Sequence, residues 1–272
     1  MHKIHFLGVA GSDAVLNQIR GTGGILMQLD KFQIHIDPGP GALLQCKHNG
    51  ISAFHTNLIL VSHNHLSHCN DLNIMIDAMT YQGLDTKGVV IGDESVIHGT
   101  ALEKPIINKR QNGFVEQVLS LNPGKEVSIG NIKIKALKTN HKCETGLGFR
   151  IETEDYIYSY TGDTGYFPGL AEQHKDVDVL IVNNVYPFGK DSKENLNSNN
   201  STRLINEVRP RLVMLTHFGK EIIKGDAIYD ARKIQQETNI RVLAAKDGLV
   251  LDPSEYIDRR KKLKVSDYRN AY

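Results

Sequence analysis

The sequence predicts an α/β fold on three observations. The chain has 272 residues, which is enough to bury a sizeable core. Short apolar runs of the strand type come first in clusters and later alternate with segments of helical periodicity. No stretch rich in Gly, Ser or Pro divides the chain, and no fixed repeat is visible. We therefore expect one domain over residues 1–272, with a basic tail at about 259–272.

The first half predicts strands joined by short turns and helices. The strands are expected at residues 3–7, 25–29, 32–36, 58–61 and 89–91. The third strand ends at Asp37-Pro38-Gly39-Pro40-Gly41, because two prolines prevent further sheet pairing. Helices are expected at about 42–47, 71–81 and 93–102, the last with Asp93 as its N-cap. Residues 103–113 are expected to be irregular.

The second half predicts a sheet with longer alternation. Residues 127–138 alternate, with Ile132, Ile134 and Ala136 expected to point inward. Further strands are expected at 148–152, 156–160, 177–182, 212–215, 241–244 and 249–251, and helices at 202–208 and 226–238. The asparagine-rich stretch 190–201 is interpreted as a mobile loop that could act as a lid or a substrate wall.

Composition narrows the functional classes. A net charge of +1 gives no global electrostatic case for nucleic acid, and the basic run at 259–264 is more typical of a solvated face. The three cysteines are odd in number and widely spaced, which favours free thiols in a reducing cytoplasm. No leader-type apolar segment or run of membrane-spanning length is present, so we expect a soluble cytoplasmic protein without a membrane partner.

Three histidines follow the strand at 58–61 within six residues. The segment reads Ser62-His63-Asn64-His65-Leu66-Ser67-His68. Neutral imidazole is the commonest protein ligand for zinc-like metals, and loops at strand ends can bring such rings to one ion. The alternative is a polar loop that is merely rich in histidine.

Three later strands also end in residues that can bind a metal. They are followed by Thr139-Asn140-His141, by Thr161-Gly162-Asp163 and by Thr216-His217. Each alone would suit a turn or a surface position. Together with the first cluster they predict a metal site built from strand ends.

This set of motifs resembles the metallo-β-lactamase superfamily, and within it the ribonuclease Z-like metal-dependent hydrolases, over nearly the whole chain. The resemblance implies a four-layer αββα sandwich with two mixed β-sheets and metals at one edge. It implies zinc as the cofactor, as one or two ions, with manganese or iron as alternatives. It places His63, His65 and His141 at one metal and His68 and His217 at the other, with Asp163 bridging them. It also suggests that Asp37 orients a ligand histidine, although an Asp before Pro equally suits a turn.

The sequence departs from the family pattern at one ligand. The superfamily motif is His-x-His-x-Asp-His, and Ser67 stands where the aspartate belongs. A serine is a poor neutral ligand, so we expect the second site to be weaker. Asp71, one helical turn later, could compensate, or could be a first-turn acid that interacts with the helix dipole.

A second departure concerns the substrate. Ribonuclease Z proteins carry a tRNA-gripping arm between the positions of His141 and Asp163. Here residues 142–162 provide only one hairpin, so tRNA is not the expected substrate.

The combined prediction is a cytoplasmic metal-dependent hydrolase. We expect a phosphodiesterase that uses a metal-bound hydroxide on a small anionic substrate, with Asp163, His217 and Asp71 as catalytic residues. The phosphodiester assignment follows from the ribonuclease Z-like segment at 160–166. The alternatives are a lactone or ester hydrolase, and a degenerate metal-binding module without turnover. A homo-oligomer is compatible with each of these functions.

Overall fold

The computed structural model of the protein describes residues 2–260 and contains two β-sheets. The strands of the first sheet are β1 (His2–Phe6), β2 (Ile25–Leu29), β3 (Phe32–Ile36), β4 (Leu58–Val61), β5 (Val89–Gly92), β6 (Gln117–Ser120) and β15 (Leu249–Leu251). Those of the second are β7 (Glu126–Ile129), β8 (Ile132–Lys138), β9 (Leu147–Glu152), β10 (Ile157–Tyr160), β11 (Val179–Tyr186), β13 (Leu212–Thr216) and β14 (Val242–Ala244), and the short β12 (Leu196–Asn197) pairs with β11.

Both sheets are mixed. The first has the order β15-β1-β2-β3-β4-β5-β6, antiparallel up to β3 and parallel from β3 to β6. The second has the order β14-β13-β11-β10-β9-β8-β7, antiparallel from β7 to β10 and parallel from β10 to β14. Because β8 and β10 both pair antiparallel with β9, they run in the same direction as β11 and β13. Their carboxyl ends therefore lie at one edge.

Helices cover the outer faces of the sheets. They are α1 (Ser12–Leu16), α2 (Ala42–His48), α3 (Leu66–Cys69), α4 (Leu72–Thr80), α5 (Glu94–Ile97), α6 (Lys109–Asn112), α7 (Leu170–Gln173), α8 (Ser198–Val208), α9 (Lys220–Gly225) and α10 (Ala227–Thr238). Side chains of α2, α4 and α5 share a buried cluster with residues of β4 and β5. Those of α8 and α10 pack with the second sheet. The predicted four-layer αββα sandwich is confirmed.

The core between the sheets contains side chains from both. Ile134 and Ala136 of the alternating strand are completely buried there, as the sequence predicts, with Ile34 and Ile36 from the first sheet. Apolar burial on this scale is the main stabilising term of the fold. It holds the two sheets together and so positions the edge at which the strands end.

Several segments differ from the sequence prediction. The helix expected at 93–102 ends at Ile97, although Asp93 does cap it by accepting hydrogen bonds from the Ser95 and Val96 amides. The stretch 190–201 is not all loop, since α8 begins at Ser198. Asn197 caps that helix by accepting from the Asn200 amide at 2.8 Å, so asparagines that suggested a loop instead begin a helix.

Two other features belong to the described residues. Cys46, Cys69 and Cys143 are free thiols. No helix between residues 2 and 260 is long and apolar enough to cross a membrane. Most of the predicted basic tail, residues 261–272, lies outside the described residues. Arg260 is described, and it forms an ion pair with Asp178 at 2.6 Å.

Candidate metal centre

The predicted histidines and Asp163 converge at one edge of the two sheets. His63 and His65 follow β4, His141 follows β8, Asp163 follows β10 and His217 follows β13. An isolated bridge between Ala10 and Phe218 joins the loop after β1 to the loop after β13 at this edge. The side chains meet because strand C-terminal ends place their loops side by side.

One group consists of His63, His65, His141 and Asp163. One ligand-type atom from each lies within 4.8 Å of all the others. His63 Nε2 lies 2.8 Å from His65 Nδ1, and His141 Nε2 lies 3.3 Å from the same atom. His141 Nδ1 faces the Glu194 carbonyl oxygen at 2.8 Å, which leaves its Nε2 for the group.

A second group consists of His68, Asp163 and His217, and it shares Asp163 with the first. Asp163 Oδ2 lies 3.4 Å from His68 Nε2 and 3.4 Å from His217 Nε2. The same oxygen lies 3.8 Å from His141 Nε2 in the first group. One carboxylate oxygen therefore faces both groups.

Asp37 supports the second group from behind. Its Oδ2 accepts hydrogen bonds from His68 Nδ1 at 2.8 Å, from Tyr160 Oη at 2.7 Å and from Ser62 Oγ at 2.8 Å. Its Oδ1 accepts from the Ser62 amide at 2.6 Å. The hydrogen bond to His68 Nδ1 turns Nε2 toward Asp163, the arrangement that metal-binding histidines commonly show.

Burial and charge shift the pKa values in opposite directions across the site. Burial lowers the pKa of His63 well below its ordinary value, and it lowers the pKa of His65 as well. Burial opposes the charged form of His68 too, but Asp163 and Asp37 outweigh it and raise the pKa of His68 to about 10. His217 and His68 overcome burial at Asp163 and hold its pKa well below the usual range. Asp163 is therefore an anion in a buried position.

Two residues at the site have a left-handed backbone. Asp37 has φ +52° and His217 has φ +56°, a region that residues with a Cβ adopt at a cost of about 1–3 kcal/mol. Such strain persists where the surrounding structure holds it, and it clusters at functional sites. Close packing also needs Gly39, since a Cβ there would lie 2.0 Å from the Ser67 carbonyl oxygen.

The two groups open onto a cavity of about 220 Å³. Its lining includes His65, His141, Asp163 and His217 from the groups, with Lys142 and Tyr186 beside them. A larger cavity of about 610 Å³ shares His65 and Lys142 with the first in its lining. A bound molecule can therefore approach both groups directly.

The residues at this edge fit divalent metal ions. They offer imidazole nitrogens and a carboxylate oxygen, which are the donors that zinc prefers. His68 Nε2 is buried and makes no hydrogen bond among the described residues, and it lies 3.4 Å from Asp163 Oδ2, so an ion could be bound by both atoms. His63, His65, His141 and Asp163 would hold one ion, and His68, His217 and Asp163 the other.

The structure places the remaining sequence candidates outside the two groups. Asp71 belongs to neither, because α3 ends at Cys69 and a new helix begins at Leu72, which breaks the single helical face that the prediction assumed. Its carboxylate instead accepts from the Asn70 side chain at 2.9 Å. Cys69 and Cys143, whose thiols lie near His68 and His141 in the sequence, are also absent from both groups.

Two supporting residues escape the sequence analysis. Asn183, near the end of β11, donates to Asp163 Oδ1 at 2.7 Å, and Tyr160 donates to Asp37. Tyr160 ends the strand predicted at 156–160, and Asn183 directly follows the strand predicted at 177–182, but neither is a His or an Asp. Their only signal is a polar group close to the carboxyl end of a strand at the metal edge.

Comparison with known proteins gives the same family. The profile of the beta-lactamase superfamily domain matches residues 33–218. An uncharacterized protein of Methanocaldococcus jannaschii is 33% identical over 253 residues, which cover 92% of this chain and 94% of the relative. A ribonuclease Z of Methanopyrus kandleri is 28% identical over 153 residues, covering 55% of this chain and 50% of that protein.

A solved structure shows the same architecture. The metallo-beta-lactamase fold protein YhfI from Bacillus subtilis superposes with a TM-score of 0.76 at 21% identity, covering 92% of this chain and 98% of that one. At this identity the likeness concerns the fold. With the sequence profile and the His and Asp ligand groups, it shows that the chain belongs to the metallo-β-lactamase superfamily, as a metal-dependent hydrolase of the branch that includes ribonuclease Z.

Proposed function

We propose that the protein is a phosphodiesterase that hydrolyses small anionic phosphodiesters with one or two zinc ions at the His and Asp groups. The observation that carries the proposal is Asp163, whose Oδ2 faces histidines of both groups at the floor of an open cavity. When bound, two divalent ions at such a site activate water and neutralise charge on the attacked group. Manganese or iron are the alternatives to zinc.

The chain's own residues can bind and orient such a substrate. Lys142 lines both cavities, and its side chain is 68% exposed, so its ammonium group can reach an anionic oxygen. Glu194 lies 3.6 Å from Lys142 and keeps the ammonium near the cavity mouth. The larger cavity, which His65 also lines, offers room for the leaving group. Asp163 and His217 are proposed to be catalytic because they touch the cavity and both lie in the second group.

The proposal favours a small molecule over tRNA. Residues 142–162 form β9, β10 and the short loops before, between and after them, so no additional arm lies between His141 and Asp163. The ribonuclease Z relative supports phosphodiester chemistry as such, since a ribonuclease cleaves phosphodiester bonds. We extend the proposal to a cytoplasmic location, which the free thiols support.

A substrate panel tests this proposal. The protein is dialysed against a chelator, reloaded with zinc or manganese, and assayed on bis(p-nitrophenyl) phosphate, an acyl-lactone and a precursor tRNA. We expect turnover of the phosphodiester alone, its loss after chelation and its return with metal. Turnover of the lactone without the phosphodiester would instead identify a lactone hydrolase. Metal binding without turnover of any ester would identify a binding module, and site-specific cleavage of precursor tRNA would overturn the small-molecule assignment.

A further inference from the structure

Asn183 lies behind the shared carboxylate and is 1% exposed. Its Nδ2 donates to Asp163 Oδ1 at 2.7 Å and to Tyr160 Oη at 2.9 Å. An amide nitrogen carries two hydrogens, so these two bonds use both of them. The side chain therefore links Asp163 to Tyr160 with no donor left over.

The orientation of this amide follows from its neighbours. Asp37 is a carboxylate and can only accept, so the Tyr160 hydroxyl hydrogen goes to Asp37 and the Tyr160 oxygen accepts from Asn183. A flipped amide would place the Asn183 oxygen against the Asp163 carboxylate, where neither atom has a hydrogen. The NH₂ group is thus fixed on the Asp163 side.

Because Asn183 holds Oδ1, only Oδ2 of Asp163 faces the histidines of both groups. We propose that Asn183 is a positioning residue that reserves Oδ2 for both metal positions and so makes Asp163 a bridge through a single oxygen. This inference rests on the metal-binding part of the proposed function and not on the substrate.

The same hydrogen-bond network reaches the second group from the other side. Asn183 holds Asp163, and through Tyr160 it also holds Asp37, which in turn orients His68. Two of the three residues of the second group are therefore set by one buried network. The first group has four donors, so it depends less on the exact position of Asp163. Loss of Asn183 should weaken the second site more than the first.

The neighbouring residue provides a matched control. Asn184 is also fully buried, but its side chain points away from the site, donating to Ser198 Oγ at 3.0 Å and accepting from Ser201 Oγ at 2.6 Å. Asn183→Leu and Asn184→Leu each remove a buried, hydrogen-bonded amide from the same strand. General damage to the fold should therefore be similar in the two variants.

Cobalt(II) titrated into the chelator-treated protein reads out the difference. We expect Asn183→Leu to weaken the second binding step by about 10–100-fold, the usual cost of losing a residue that orients a metal ligand. The visible spectrum of the bound cobalt should also change, because Asp163 Oδ1, no longer held by Asn183, would be free to bind the ion. Asn184→Leu should leave both binding steps and the spectrum as in the unaltered protein.

Equal effects of the two substitutions, or an unchanged second step and spectrum in Asn183→Leu, would overturn the inference. If Asn183→Leu does not fold by circular dichroism, Asn183→Ala beside Asn184→Ala removes the N–H donors without adding a carboxylate that could bind cobalt, and it should give the same loss. The outcome is separate from the substrate test. A protein that binds two cobalt ions but hydrolyses no phosphodiester would contradict the proposed function and leave this experiment valid.

Discussion

The two halves of the metal centre achieve the same task by different means. The half formed by His63, His65 and His141 with Asp163 has four donors, and two of its histidines are only partly buried beside the cavity. The half formed by His68, His217 and Asp163 has three donors, all buried, and His68 is held from behind by Asp37. One half depends on the number of ligands, and the other on how firmly a few ligands are held.

We attribute this difference to Ser67. The resemblance to the superfamily places an aspartate there, and a serine would remove a direct bond and a negative charge from the second half. Asp37 lies 2.8 Å from His68 Nδ1, so it returns part of that negative charge to the second half through His68 and not as a direct ligand. The comparison therefore predicts two unequal metal-binding steps, a tight one at the first half and a weaker one at the second.

Removing a ligand of the first half should have the largest effect. His63→Ala or His141→Ala should lose the tight metal equivalent on dialysis, because each substitution removes one of the four donors that distinguish the first half from the three-donor second half. Elemental analysis after dialysis measures the loss. His48→Ala, at an exposed histidine at the end of α2, is the control and should retain the metal. Full retention of metal in both ligand variants would contradict the assignment of the first half.

Restoring the missing carboxylate should have the next largest effect. Ser67→Asp should tighten the second step beyond the 10–100-fold range typical of residues that only support a ligand, because a carboxylate adds a direct bond and charge neutralisation. A cavity of about 20 Å³ that touches Ser67, His68 and His217 leaves room for the larger group. Isothermal titration of the apo protein measures both steps.

Two results would contradict the assignment of a weaker second site. Two equally tight equivalents in the unaltered protein would mean that another residue already replaces the aspartate. Asp71→Ala would then be the next substitution, because its catalytic role is still a prediction and the structure keeps it outside both groups. An unchanged second step in Ser67→Asp would mean that Ser67 does not lie at a ligand position.

The sequence predicts the candidate metal ligands better than it predicts the residues that hold those ligands by hydrogen bonds. Each candidate ligand is a His or Asp that follows an apolar strand, so its chemistry is visible against the pattern. Asn183 and Asn184 are adjacent in β11, and both faces of that strand are buried. The polarity of the two side chains therefore does not show which of them points to the metal edge. Only the register of the folded sheet determines this.

Asp71 and the asparagine-rich stretch show a second limit. The prediction for Asp71 assumed a continuous helix from Ser67, but α3 ends at Cys69 and α4 begins at Leu72, with Asp71 as its N-cap. In the stretch 190–201, Asn197 caps a helix. Asparagine is common both at helix N-caps and in loops, so the composition fits either. Both cases arise because local composition does not determine where a helix begins.

The smallest expected effect tests whether the two halves share a support. Ser62 is completely buried between them. Because Asp37 only accepts, the Ser62 hydroxyl donates to Asp37 Oδ2 at 2.8 Å, and its oxygen then accepts from His63 Nδ1 at 2.9 Å. Ser62→Ala should therefore release His63 on the first half, while Asp37 keeps its bonds from Tyr160, His68 and the amide of residue 62. We expect the tight step to weaken by about 10-fold, the lower end of the range for a residue that orients a metal ligand, and the second step to change less.

Cobalt titration of Ser62→Ala beside Ser159→Ala, a buried serine that contacts His174 rather than the site, separates this effect from a loss of stability. A larger loss at the second step than at the first would show that the hydroxyl serves mainly Asp37, and that the two halves are supported separately.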